Sequence, residues 1–145
     1  MLLQCKERFI ALNIVFGLLV LMSSAPAGVT HKMYVPHPFD SKGAKSVVSV
    51  YDLKDSRLIS TIHSVPAAML ARVTPDGKYV WIFSSKEREA EIYSVATDEL
   101  VGKPYLDGPI CDAVFDPDGE ICYTANGSLS GGGDNSISFI DVESQ

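Results

Sequence analysis

Thr74-Pro75-Asp76-Gly77 and, 42 residues later, Asp116-Pro117-Asp118-Gly119 decide how this chain folds. Each tetrapeptide ends a short apolar run and precedes another. Proline presets the backbone angle entering the reversal, and glycine supplies the positive φ that closes it. Tyr51 returns as Tyr93, Leu58 as Leu100 and Ala71 as Ala113 at the same offset. A whole supersecondary unit is therefore copied, not a turn alone.

Four short segments recur in order, each bounded by turn residues, as antiparallel strands are. The first, 68–73, returns as 110–115, and the second, 79–83, as 121–125. The third is seen three times, at 47–53, 91–95 and 136–142. In its last copy Ile137, Phe139 and neighbouring Ile140 interleave with Ser136, Ser138 and Asp141, the pattern of a half-buried strand. The polar turns Lys54-Asp55-Ser56 and Ala96-Thr97-Asp98 lead to a fourth strand at 58–62 and 100–105. Nothing after residue 27 calls for an amphipathic helix. A period near forty with four strands is that of a β-propeller blade. Counting from Met33 gives the last three strands of one blade, all four of the next and the first three of a third. The expected fold is all-β, an incomplete ring of roughly two and a half four-stranded blades over residues 28–145.

Val48-Ser49-Val50-Tyr51-Asp52-Leu53, followed by an apolar strand, Pro-Asp-Gly and an aromatic-led strand, resembles the YVTN-type β-propeller repeat. The resemblance covers residues 33–143, and the tetrapeptide takes the forms Tyr123-Thr124-Ala125-Asn126, Tyr34-Val35-Pro36-His37 and the divergent Trp81-Ile82-Phe83-Ser84. It implies an exported seven-bladed propeller similar to YncE-like periplasmic proteins. Related propellers serve as lactonases, as quinoprotein dehydrogenase subunits and as cytochrome-bearing domains, so the fold does not fix the function.

Lys6 and Arg8 precede an apolar stretch over residues 9–22, and the small-residue run Ser23-Ser24-Ala25-Pro26-Ala27 follows. That order is a secretory signal peptide, with cleavage expected after Ala27. Fourteen apolar-stretch residues interrupted by Asn13 fall short of the ~20 needed to cross a bilayer. Removal of residues 1–27 takes the formal charge from −6 to −7. With its basic residues scattered, the chain has no stripe to meet a phosphate backbone, and nucleic acid is not an expected partner.

Cys111 and Cys122 remain in an oxidising periplasmic or extracellular compartment. A hairpin centred on Pro117-Asp118 places Cys122 opposite Ala113 and makes Cys111 its diagonal neighbour, roughly 7–8 Å away. A disulfide needs a Cα separation of about 4.4–6.8 Å. A single disulfide therefore requires a bulge or register shift; Met69 and Val80 hold the same columns one repeat earlier, which favours reading both thiols as small buried hydrophobes.

Other motifs reduce to structure. Gly131-Gly132-Gly133 with Ser128 and Ser130 lacks the following Gly-Lys-Ser/Thr and the helix start of a phosphate loop; it reads as a connection, long enough to serve as a recognition loop. Asp116, Asp118 and Glu120 lack the further ligands of a calcium loop, and the sister turn carries Thr74, Asp76 and Lys78. His31, His37 and His63 show neither zinc spacing nor a haem-attachment motif, and His37, in Pro36-His37-Pro38, is read as facing solvent. There is no Gly-x-Ser-x-Gly elbow. Asn126-Gly127-Ser128 matches an N-glycosylation pattern and equally a polar turn. Trp81 and the tyrosines are expected to fill blade interfaces. No catalytic, cofactor-binding or metal residue is expected, and no cofactor.

The expected function is that of an exported scaffold that binds a protein or small ligand through loops on one propeller face or in the channel. The alternative is a fragment or subunit of a propeller enzyme, lactonase-like or quinoprotein-like, whose reactive groups lie in other blades. An open arc leaves two end faces bare. At ~25 cal/mol per Å², roughly 500 Å² of apolar surface on each forgoes about 12 kcal/mol, comparable with the ~5–15 kcal/mol stability of a whole domain. Self-association through those faces is expected.

Overall fold

The computed structural model describes residues 31–38, 44–127 and 135–144. The segment 1–27, read above as a signal peptide, and the glycine run 131–133 lie outside them. Ten strands follow one another: β1 (Lys32–His37), β2 (Ser46–Asp52), β3 (Arg57–Ser64), β4 (Ala68–Val73), β5 (Tyr79–Ser84), β6 (Ala90–Ser94), β7 (Leu100–Gly102), β8 (Ile110–Phe115), β9 (Ile121–Asn126) and β10 (Ser136–Asp141). They form three antiparallel meanders of three, four and three strands, β1 to β3, β4 to β7 and β8 to β10, the division read from the repeat. No helix occurs among the described residues, and none is long and apolar enough to cross a membrane.

The two Pro-Asp-Gly reversals are built alike. Gly77 and Gly119 have φ of 72° and 76°, a region open to glycine at little cost. Their amides donate to the carbonyls of Thr74 and Asp116 at 2.8 and 3.1 Å, and the amides of Thr74 and Asp116 donate to Tyr79 and Ile121 at 2.9 Å each. The second reversal encloses two residues more than expected. Cys122 pairs with Phe115, and Ala113 with Thr124, so the reversal is centred one position later than Pro117-Asp118. A β-bulge between Ile110 and Asp112 then lifts Cys111 out of the ladder. The result corrects the expectation for the thiols: Cys122 is buried, Cys111 is exposed, and both are free. The sister strand bulges at the same column, between Ala68 and Leu70.

The fourth strand of the second sheet is shorter than the apolar pattern suggests. It stops at Gly102 because Pro104 has no N–H to give the ladder; Tyr105 makes only an isolated bridge to Glu89.

Successive side chains point to opposite faces of a strand, and β5 is buried on both. Val80 and Ile82 join Val48, Val50 and Ile62 of the first sheet in one apolar cluster. Trp81 and Phe83 join Ile110, Ala113, Cys122 and Ile140 of the third in the other. Three sheets thus stack face to face, the second between its neighbours.

Candidate functional site

Polar seams edge these apolar interfaces, and the first centres on Glu91, 1% exposed. Its Oε2 accepts hydrogen bonds from Ser64 Oγ at 2.9 Å and from the Tyr93 hydroxyl. Its Oε1 faces Lys103 Nζ at 2.7 Å and Lys45 Nζ at 3.6 Å. Burial alone raises a carboxyl pKa, but donors from Lys103, Tyr93 and Ser64 and the charge of Lys45 outweigh it, and Glu91 is held below its ordinary value. Burial first, and then the carboxylate, push the Tyr93 hydroxyl upward. Ser64 comes from β3 and Lys45 precedes β2, so one carboxylate ties the first sheet to the second.

One repeat on, the Glu91 column holds Ser138. Its hydroxyl donates to Asp107 Oδ2 at 2.7 Å and accepts from Asn126 Nδ2 at 2.6 Å. Asn126 also donates to Ser136 Oγ at 3.1 Å and accepts from Thr124 Oγ1 at 3.0 Å. One repeat back the column holds Ser49, bonded to His37 Nε2 at 2.9 Å. His37 is therefore a half-buried member of β1, not the solvated loop residue expected. Asn126 is buried with its amide engaged, which removes the glycosylation reading.

At the opposite end of the strands, Asp98 in the turn after β6 gathers the first sheet: Lys32 Nζ at 2.9 Å, Tyr34 OH at 3.2 Å and Ser60 Oγ at 2.8 Å. Burial and then the Asp98 charge raise the Tyr34 hydroxyl pKa. Nearer the start of the second and third sheets, Arg72 reaches across to the Ala113 carbonyl at 2.9 Å and the Asp112 carboxylate at 3.0 Å. These seams were not anticipated from sequence. The one signal available was a charged residue at a strand position whose neighbours are apolar, as Glu91 is beside Ile92 and Tyr93.

A cleft of about 700 Å³ opens between the second and third sheets at the end bearing both Pro-Asp-Gly turns. Asp118 and Glu120 line it, while Asp116 does not; the Asp116 side chain instead accepts from the amides of Glu120 and Ile121 at 2.8 and 3.2 Å, closing its own turn. His31 and His63 are exposed, and the His63 carbonyl accepts from the Tyr93 hydroxyl at 3.5 Å. Among the described residues no three His, Cys, Asp or Glu side chains are grouped as metal ligands.

No family model matches the chain, and no curated protein matches it. Its fold is found in solved structures. Hydrazine synthase of Kuenenia stuttgartiensis superposes with a TM-score of 0.69 at 21% identity, covering 79% of this chain and 32% of that one. The dihydro-heme d1 dehydrogenase NirN, solved in complex with DHE, superposes with a TM-score of 0.58 at 15% identity, covering 81% and 23%. The chain thus spans about a third or less of the solved proteins it matches, and at these identities the likeness concerns fold alone. With both neighbours β-propellers and each meander a blade, the chain is an all-β propeller segment of three, four and three strands.

Proposed function

We propose that this chain forms part of an exported β-propeller that works as a binding scaffold, recognising a protein or small ligand through the loops at the Glu91 end of its blades. One observation carries the ring: blade faces repeat, but only some are covered. In the second blade Trp81, Phe83 and Ile92 are 1%, 0% and 6% exposed beneath the third. In the third blade the matching outward face carries Val114, Ile137 and Phe139 at 60%, 67% and 70%, with Tyr123 stacked on Phe139 at 5.3 Å. A face made for a neighbouring blade supports a longer ring. The loops support binding because chain connections there, unlike the two matched Pro-Asp-Gly turns, differ in length and sequence from blade to blade.

Within this reading residues 1–27 direct export, and the repeat is of the YVTN type. Fractionation with amino-terminal sequencing tests it; periplasmic or secreted protein beginning at Gly28 supports it, and cytoplasmic protein beginning at Met1 overturns it. Light scattering tests the ring. The isolated chain should self-associate and Phe139→Lys with Ile137→Lys should disperse it, whereas a monodisperse wild-type monomer would count against a face awaiting a blade. Both solved neighbours are enzymes by name, which favours the second reading, a segment of a propeller enzyme. Further coding sequence carrying a haem-attachment motif or clustered acids and histidines would select it.

A further inference from the structure

We propose that two copies of this chain close a six-bladed ring head to tail, the bare face of the third blade in each copy seated on the free face of the first blade in the other. This rests on the reading of the chain as part of a propeller and names what covers its open ends. At both sealed junctions the two sides come from different columns of the blade. The leading side is Val48 and Val50 at the first junction and Trp81, Phe83 and Ile92 at the second. The receiving side is Val80, Ile82 and Tyr93 at the first, then Cys122 and Ile140. Strand pairing assigns the open ends to these columns. Tyr123 faces Phe139 as Trp81 faces Ile92, and Met33 faces Tyr51 as Val80 faces Tyr93. The third blade therefore ends in a leading face and the first begins in a receiving one. Like faces do not meet at either sealed junction, so the partner that fits each end is the other end.

The polar residues at the two ends match as well. At the first junction the turn residue Asp98 accepts from Lys32 and Tyr34. The columns of Lys32 and Tyr34 hold Ile121 and Tyr123 on the third blade. The column of Asp98 holds Ser56 on the first, and its φ of 52° matches the 58° of Asp98. Cation and carboxylate are missing together, so pairing the ends buries no charge without its partner. The Glu91 column shows the same adjustment. Glu91 takes a hydrogen bond from Ser64 on the fourth strand of the preceding blade, whereas the third blade has no fourth strand among the described residues. On the first blade that column holds the neutral Ser49, bonded within its own blade to His37 at 2.9 Å. Head-to-tail contacts either close into a ring or run on as a filament. Three blades per copy make six from two copies and nine from three, and closed propellers hold about four to eight, so closure selects two. With roughly 500 Å² of apolar surface hidden on each of four faces, the pair buries on the order of 2,000 Å², at the upper end of a standard protein interface.

Sedimentation equilibrium of the chain as the producing cell accumulates it, at about 50 µM, which populates a micromolar dimer, should give twice the chain mass. Ile137→Lys with Phe139→Lys blocks the leading end, and Met33→Lys with Tyr51→Lys blocks the receiving end; each double variant should sediment as one chain. Their equimolar mixture should regain a two-chain particle, because one intact leading face then meets one intact receiving face. A single junction holds that pair, so it should need a concentration about ten-fold or more higher. If the receiving-end double variant lacks a cooperative melt, Met33→Lys alone, at a residue 43% exposed, takes its place. A wild-type monomer would overturn the ring reading and the pairing together. Three results would overturn the pairing alone, leaving association through bare faces standing: a receiving-end variant that still dimerises, a mixture that stays at one chain up to about 500 µM, or wild-type particles that grow without limit as concentration rises.

Discussion

The second and third blades present the same columns outward, yet one set is sealed and the other bare. Trp81 and Ile92 sit under the third blade, whereas their counterparts Tyr123 and Phe139 stack on each other at the surface. Residue type in these columns is therefore set by the blade that follows, and burial by whether that blade is there. Truncation separates the two cases by the largest expected effect. Ile92→Ala removes buried methyls and leaves a cavity, so it should cost about 2–5 kcal/mol. Phe139→Ala in dilute chain should change stability by only about 0.5 kcal/mol, as surface substitutions do. Urea midpoints at several protein concentrations measure both. A Phe139→Ala loss approaching that of Ile92→Ala would mean the bare face is covered in solution.

The two polar seams sharpen the contrast. At equivalent positions one interface holds Glu91 with two lysines, and the next holds the neutral hydroxyl of Ser138. Because the folded-state pKa of Glu91 is depressed, its contribution is fully present above the ordinary carboxyl value of 4.5 and is lost as pH falls through the lower folded value. Glu91→Gln should cost about 1–3 kcal/mol at neutral pH, leaving Ser64, Tyr93 and two ammoniums without their charged acceptor. Its deficit relative to wild type should shrink as pH is lowered through the carboxylate range. Denaturant midpoints at pH 7, 5 and 3 read the effect; a deficit constant with pH would show that the carboxylate charge is not what binds the first two blades.

Strand order and most boundaries were legible because period-2 alternation, turn residues and a 42-residue repeat agree, and the 3-4-3 division follows from them. Register was less legible. A reversal centred one position later moves every pair by two, and a bulge at Cys111 breaks the alternation locally, so Cys122 alone is buried and its thiol is pushed up to about 12 by that burial. His37 was misplaced because prolines on either side look like a loop, although β1 is an edge strand, where proline is tolerated. The seams were hidden for a different reason. Ser64 meets Glu91 and Asp107 meets Ser138 only through inter-blade stacking, which no single repeat encodes.

The smallest expected difference lies between two turns that look identical. Gly77 and Gly119 share a positive φ, so alanine at either should cost about 1 kcal/mol through backbone strain. A Cβ on Gly77 meets nothing within 4 Å, whereas a Cβ on Gly119 would approach Pro75 Cδ to 3.2 Å. The second turn leans on the first across the blade interface. Gly119→Ala should therefore be the more destabilising by a few tenths of a kcal/mol, the size of an adjustable close contact. Adding Pro75→Ala should erase that excess while leaving Gly77→Ala on the same background no better placed. The three-way comparison by thermal melts isolates the contact between turns from the strain within them. Equal costs for the two glycines, unchanged by Pro75→Ala, would mean that each turn stands alone and that the blades are held together by their apolar faces and polar seams only.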